Sequence, residues 1–132
     1  MKEFTWKAIL TALAAGACAL WGRWDISMTT LVILISLDIA SGWLRAFIQK
    51  KLSSKESLRG TFRKVLIFVI IAVAQQIDVL LGSEILRRAV TLFYCASEGL
   101  SVLENVVAAG LPVPEALKEA LQQLNEKKYV ER

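Results

Sequence analysis

Four long apolar stretches, separated by short polar or basic segments, dominate the pattern of hydrophobic and polar positions along the chain. They occupy residues 8–22, 26–44, 65–82 and 89–109. The first carries no charged residue, the second and third carry one acid each, and the fourth carries two. A helix needs about 20 mostly apolar residues to cross the hydrocarbon core of a bilayer. The pattern therefore predicts membrane-spanning helices.

We predict an all-α integral membrane protein with three to four transmembrane helices and a short C-terminal amphipathic helix. The spans are expected at about 6–24, 26–46, 64–82 and 88–109, within a transmembrane domain of residues 1–110. The first resembles a signal peptide, but we expect it to be retained. One central acid costs about 2.5–3.5 kcal/mol on insertion scales, and each large apolar residue returns about 0.3–0.6 kcal/mol. Insertion of the fourth stretch, with two acids, is therefore only marginally favourable. Whether this stretch fully crosses the membrane is left open.

The C-terminal part of the chain differs in character. Gly110, Pro112 and Pro114 interrupt the fourth apolar stretch, and proline is tolerated mainly in the first turn of a new helix. After this break, leucines recur at intervals of four and three residues, at Leu117, Leu121 and Leu124, with charged residues between them. This spacing predicts an amphipathic helix within a cytoplasmic tail of residues 111–132. Its nearly balanced charges favour a packing or docking role.

Composition and charge support a membrane location. Hydrophobic residues make up 55% of the chain, and the formal net charge is +4. The basic residues between the second and third stretches are accompanied by a single acid, Glu56, and they predict a cytoplasmic loop by the positive-inside rule. Both termini are then expected in the cytoplasm. We expect no nucleic-acid partner, because no aromatic pattern interleaves the basic residues. The basic residues are Arg45, Lys50, Lys51, Lys55, Arg59, Arg63 and Lys64.

The residue types that enzymes need are scarce. The chain has no histidine, which removes the commonest general base and metal ligand. The two cysteines, Cys18 and Cys95, lie inside apolar stretches and do not form a CxxC motif. We expect them to be small packing residues. The sequence therefore predicts a non-enzymatic protein with no metal site and no cofactor.

Polar residues at helical spacing form a narrow stripe on three of the predicted spans. Acids within membrane segments usually face a bundle interior or a water-filled cavity. We therefore interpret the stripes as pore-lining positions or as polar contacts between helices. By helical rise, Asp38, Glu98 and Glu104 fall at comparable depths. The candidates are Asp38, Ser41, Arg45, Gln75, Asp78, Thr91, Glu98, Ser101, Glu104 and Asn105.

Three ordered blocks of sequence resemble the toxin-secretion and phage-lysis holins, a family of small bacteriophage and bacterial membrane proteins. They are LDIASGWLRAFIQKKLSSKESLRGTFRK, the Asp78 span followed by Leu86-Arg87, and YCASEGLSVLENVVAAGLPVP. Ser41 and Ser97 are mild departures, at positions where threonine and asparagine are common. The resemblance covers residues 37–128. It implies a homo-oligomeric lesion in the inner membrane, without catalysis, that lets an endolysin or a large toxin cross.

Two other functions remain open at this level. A small proton-coupled transporter would also place an acid such as Asp38 or Glu98 within a membrane helix. Tyr94 is the only aromatic candidate for a substrate pocket near the acid on the fourth stretch, which disfavours this alternative. A soluble helical bundle is the third hypothesis, and such a protein would need no detergent for extraction.

Overall fold

The structure is a computed structural model that describes the backbone of residues 1–130 and the side chains of residues 1–123. All regular structure in this part of the chain is helical, which confirms the all-α prediction. Three of the five helices, α1 to α3, are long and apolar enough to cross a membrane, and the fourth is not among them. The helices are α1 (Lys2–Trp21), α2 (Ile26–Ile48), α3 (Ser54–Leu81), α4 (Ile85–Ala108) and α5 (Glu115–Val130).

Local chemistry explains where the first helices begin and end. The first helix ends at Trp21, before the predicted limit of 24, because Gly22 takes φ 74° and ψ −164°, a conformation open essentially to glycine alone. Asp25 then caps α2 by accepting a hydrogen bond from the backbone N–H of Met28. Similarly, Gly82 ends α3 in the left-handed region.

The basic segment between the second and third stretches is mostly helical, which corrects the expectation of a loop. The second helix continues to Ile48, and the third begins at Ser54, so that only residues 49–53 lie between them. Ser53 caps α3, and Glu56 lies in its first turn, where a negative charge is favourable. At 28 residues, α3 is about 42 Å long, longer than a hydrocarbon core of about 30 Å. Its charged first turns therefore extend beyond the apolar span.

The fourth helix is the centre of the packing. It packs against α2, α3 and α5, whereas the backbone of α1 comes close only to that of α3 within the described residues. The small buried core lies where α2, α3 and α4 meet, and most other large apolar side chains are exposed. So large an exposed apolar surface is expected where lipid is the solvent. The core consists of Met28, Leu31, Ile35, Ile67, Ile71 and Cys95.

The first helix is attached at one end only. It buries no residue. Near its C-terminus, the indole N–H of Trp21 donates to the carbonyl oxygen of Phe68 at 2.9 Å, and the ring packs edge-on against Phe68. Gln76 of α3 donates to the carbonyl oxygen of Ala19 at 2.8 Å. The carbonyl oxygen of Ala19 lies in the last turn of α1, where a helix end leaves carbonyl groups without a partner in the helix.

The C-terminal helix packs back along α4. An ideal Cβ on Gly99 would lie 3.0 Å from a methyl carbon of Leu121. Lys118 lines a cavity with Val107, nearer the end of α4, so α5 runs antiparallel to α4. The helix predicted for a packing or docking role therefore packs on α4. Its location in the cytoplasm stays a prediction. The side chain of Leu124 and residues 131–132 lie outside the described residues.

The turn at Gly22 provides a test of the fold. Gly22→Ala places a Cβ at positive φ and 2.5 Å from Oε1 of Gln75. We expect the free energy of unfolding in detergent to fall by about 1–3 kcal/mol. Gly82→Ala is the matched control, because its φ is 65° but its Cβ would meet nothing within 4 Å, so it should cost less. Equal stability of Gly22→Ala and the wild type would contradict the assigned turn.

Candidate functional site

A lysine and two carboxylates from three different helices meet inside the bundle. Lys64 of α3 donates from Nζ to Oδ2 of Asp38 on α2 at 2.5 Å and also to Oε2 of Glu98 on α4. The side chains are 18%, 9% and 7% exposed, in that order. Asp38 lies about 18 Å along α2 and Glu98 about 20 Å along α4, measured from the helix starts at 1.5 Å per residue. The shared lysine therefore joins acids of similar depth.

An asparagine extends this cluster toward the C-terminal ends of α2 and α4. The side-chain amide of Asn105 donates to Oδ1 of Asp38 at 2.9 Å and to Oγ of Ser41 at 3.0 Å. Its carbonyl oxygen accepts from Nη1 of Arg45 at 3.3 Å. We call Asp38, Lys64, Glu98, Asn105, Ser41 and Arg45 the polar cluster.

The polar cluster balances its own charge. It contains two carboxylates and two cations, with Asn105 linking Arg45 to the carboxylate of Asp38. A charge in an apolar medium is costly unless it is paired and hydrogen-bonded. The pairing therefore lets α2, α3 and α4 hold four ionisable groups close together. It also joins the three helices to one another at a similar depth along the bundle.

A cavity of about 270 Å³ lies between α2 and α3 beside the polar cluster. These two helices contact each other little, so the space between them is open rather than filled by apolar side chains. Asp38 and Lys64 form part of the wall. The cavity therefore gives the ion pair a polar face that water can occupy. Other polar or small lining residues include Gly42, Ser57, Gly60, Thr61, Ser101 and Asn105, and the apolar side chains of Ile39, Trp43 and Ala46 complete the wall on α2.

A second polar centre lies at the opposite end of the helices, around Arg87. Arg87 is 7% exposed. Its guanidinium group donates to the carbonyl oxygens of Trp21 at 2.5 Å and Arg23 at 2.9 Å, and to Oδ2 of Asp25 at 2.9 Å. Arg87 thus binds both the carbonyl end of α1 and the capping residue of α2.

Asp78 caps the start of α4 from the end of α3. Its carboxylate accepts from the backbone N–H groups of Leu86 at 3.2 Å and Arg87 at 2.7 Å, and from the hydroxyl of Ser83 at 2.6 Å. The residue before α4, Glu84, makes no side-chain cap. Asp78 therefore satisfies N–H groups that a helix start leaves without partners. Together with Arg87, it holds four helix ends in one place.

Asp25 lies in the turn between α1 and α2 and joins this second centre. Burial raises the pKa of Asp25, but hydrogen bonds from Ser27, Arg87 and the backbone of Met28, with the positive charge of Arg87, outweigh burial and lower the pKa to about 2. Asp25 is therefore ionised at neutral pH and holds both the guanidinium group and the first turn of α2.

The predicted site residues fall into two groups. Asp38, Ser41, Arg45, Glu98 and Asn105 meet in the polar cluster, so that two of the predicted stripes face each other within one chain. Ser101 lines the adjacent cavity.

The other predicted site residues lie elsewhere. Asp78 caps α4, and Gln75 lies against Gly22. Thr91 is buried and donates to the carbonyl oxygen of Arg87 in its own helix. Glu104 is exposed and lines a cavity with residues of α5.

Lys64 and Arg87 were not among the predicted site residues, and Lys64 was counted with the basic cytoplasmic residues instead. A signal for Lys64 was present in the sequence. The buried residues of α3 are Ile67, Ile71, Ala74 and Asp78, at intervals of four and three residues, and Lys64 continues that series one turn earlier. For Arg87 we find no comparable signal, because its partners come from the turn after α1.

Comparisons with known proteins agree on one family. The profile of the bacteriophage holin family matches residues 15–126. An "Uncharacterized 14.9 kDa protein in nagH 3'region" of Clostridium perfringens is 44% identical, over 83% of this chain and 84% of that protein. A protein of Bacillus phage phi105 named "Probable holin" is 35% identical, over 69% of this chain and 68% of that protein. No solved structure matches the chain.

The polar cluster predicts a large effect for Lys64→Met. This change leaves Asp38 and Glu98 close together without the cation that joins them. Breaking a buried ion pair costs about 3–5 kcal/mol, and we expect a loss of that size in the free energy of unfolding in detergent. Lys55→Met, on the exposed first turn of α3, is the matched control and should change stability little. A small loss for Lys64→Met would refute the cluster.

The second centre predicts a pH dependence. Asp25 has a folded-state pKa of about 2, below its ordinary value of 3.8. The stability that it contributes is therefore fully present above about pH 4 and is lost as the pH falls through 2. Fluorescence of Trp21 and Trp24 during acid titration in detergent should report this loss. In Asp25→Asn this transition should be absent, and a transition identical to that of the wild type would assign the acid sensitivity to another group.

Proposed function

The chain belongs to the bacteriophage holin family, and from that premise we propose that it forms homo-oligomeric lesions in the bacterial cytoplasmic membrane that let an endolysin or a large toxin cross. The observation that carries the proposal is the polar cluster beside the cavity between α2 and α3. In the polar cluster, the charges are paired within one chain, and some of the paired side chains also line the cavity.

In the closed protomer, the polar cluster is satisfied inside one chain. Lys64 pairs with both carboxylates, Asn105 donates to Asp38, and Arg45 donates to the carbonyl oxygen of Asn105. The outer surfaces of α1, α2 and α3 carry exposed apolar side chains. Such a protomer can accumulate in a bilayer without exposing the charges of the polar cluster to acyl chains. A protein that forms lesions only after it has accumulated needs this property.

In the open state, α2 and α3 separate at the existing cavity. The separation takes place at the end of α2 and α3 where the cavity lies, beyond the apolar core to which both helices contribute. Water then replaces the internal partners of Asp38, Lys64 and Glu98, and neighbouring copies place their polar surfaces around a common lumen. Ser101 and Asn105 line the same side of the cavity and would extend the wetted surface along α4.

Two events favour the transition. When protomers are crowded, several copies can surround one water-filled lumen with their polar surfaces. A single copy cannot surround a lumen alone. One elementary charge that moves across the whole membrane gains or loses about 2.3 kcal/mol per 100 mV, so loss of the membrane potential changes the energy of any charge that moves during opening. In this proposal, both termini and residues 49–53 face the cytoplasm, which the basic residues around that connection support.

Induced expression in bacteria tests the function. We expect expression together with an endolysin to cause an abrupt fall in turbidity and release of a large cytoplasmic reporter enzyme. Expression of either protein alone gives the two control cultures. A proton-coupled transporter would instead leave the reporter inside and confer tolerance to its substrate. Reporter retention in the presence of endolysin would overturn the proposed function.

Glu98→Leu tests the role of the polar cluster in opening. The change leaves Lys64 paired with Asp38, so the protomer should fold and accumulate in the membrane at least as well as the wild type. Because one carboxylate is lost from the surface that must be wetted, we expect timed lysis to be abolished. Lysis at the normal time, with normal accumulation, would remove Glu98 from the mechanism.

A further inference from the structure

A cavity of about 450 Å³ lies at the end of the bundle where Asp78 and Arg87 hold the helix ends together. Cavities that bind small molecules measure about 300–1,000 Å³. Apart from the ring of Trp24, the side chains that line this cavity are polar or charged, so it is not a packing fault between apolar helices. They include Arg23, Asp25, Gln75, Glu84, Arg87 and Arg88.

Two of the arginines at this cavity have no partner within the described part of the protein. Arg87 is committed, because its guanidinium group donates to two backbone carbonyl oxygens and to Asp25. The side chains of Arg23 and Arg88 are exposed and make no hydrogen bond or ion pair with another described residue. A guanidinium group presents a planar fork of N–H donors that matches the oxygens of a phosphate group. The cavity therefore offers two free phosphate-binding groups.

The charge of the lining residues indicates what kind of phosphate fits. Three arginines and two carboxylates, those of Asp25 and Glu84, give the wall of the cavity a net charge of +1. A phosphodiester carries a single negative charge and balances this wall. The carboxylate of Glu84 and the amide of Gln75 also make no hydrogen bond with a described residue, so both can accept from hydroxyl groups. A phosphodiester that carries hydroxyl groups uses all of these partners.

The surroundings of the cavity favour a lipid as the source of this phosphate. Candidate membrane spans begin and end here, because α2 starts and α3 ends beside the cavity. Ile26 and Ile85, each next in sequence to a lining residue, are 83% and 77% exposed, and Leu80 is 85% exposed. Trp24 is half exposed, and tryptophan is enriched at the membrane–water interface. Exposed apolar side chains beside a charged cavity suit acyl chains and a headgroup, respectively.

We propose that this cavity binds the headgroup of an anionic phospholipid of the phosphatidylglycerol type. The phosphate lies between Arg23 and Arg88, and the glycerol hydroxyls donate to Glu84 and Gln75. Arg23 belongs to the turn between α1 and α2, and Arg88 to the first turn of α4, so the bound phosphate links these two segments. The site does not depend on the proposed lesion or on the orientation of the chain, because headgroups lie at both membrane surfaces.

Native mass spectrometry of the full chain in a neutral detergent tests this site. The apparent dissociation constant of the first bound lipid is measured for phosphatidylglycerol and for phosphatidylcholine with the same acyl chains. We expect tighter binding of phosphatidylglycerol, because the choline headgroup has no net charge and no hydroxyl donor for Glu84. Arg23→Gln combined with Arg88→Gln should weaken the binding of phosphatidylglycerol about tenfold or more, as expected when a hydrogen bond between charged groups is lost.

The matched control removes two arginines far from the cavity. Arg59→Gln combined with Arg63→Gln takes the same charge from exposed side chains of α3 that do not line the cavity, and it should leave the affinity unchanged. Thermal unfolding without lipid should be the same for both double variants and the wild type, because all four side chains are exposed and without a described partner.

Three results would overturn the inference. Equal weakening in the two double variants would assign the binding to net charge, and equal affinity of the wild type for the two lipids would remove the headgroup preference. Inorganic phosphate separates a lipid from a free anion. We expect it not to displace phosphatidylglycerol when added at the same concentration, and displacement would assign the cavity to soluble phosphate instead.

Discussion

The shared ion pair of Lys64 with Asp38 and Glu98 is the interaction on which the rest of the structure depends. Each partner comes from a different helix, and none of the three could remain charged in an apolar bundle alone. The pairing allows a chain that is 55% hydrophobic to keep ionisable groups at mid-depth. In the proposed opening, water competes with the protein partners for these same hydrogen bonds.

The fourth helix owes its place to these polar contacts more than to apolar burial. It is the least suited of the first four helices to lipid, since it alone is absent from the candidate spans among them. At its start it is held by Asp78 and by the contacts of Arg87, and at its middle by Lys64. Helix association in a bilayer lacks the hydrophobic driving force of water, so such polar contacts and close packing decide it.

The outer helices are attached in different ways. The first helix is apolar, buries nothing and is held at its C-terminal end through Trp21, Gln76 and Arg87. The fifth packs back along α4 over a longer surface, with Leu121 lying over Gly99. Within the described residues, α1 is therefore the helix with the fewest contacts to the rest of the bundle.

Hydropathy and helical period alone determined the all-α class, the positions of the apolar helices and the acids that lie within them. They also predicted that Asp38, Glu98 and Asn105 lie on polar faces, because residue spacing on a helix is a local property. Only the tertiary structure decided which faces meet. It paired both acids with Lys64, used Asp78 as a cap instead of a polar partner, and left Glu104 exposed. Those outcomes depend on the relative rotation and depth of separate helices, which local periodicity does not specify.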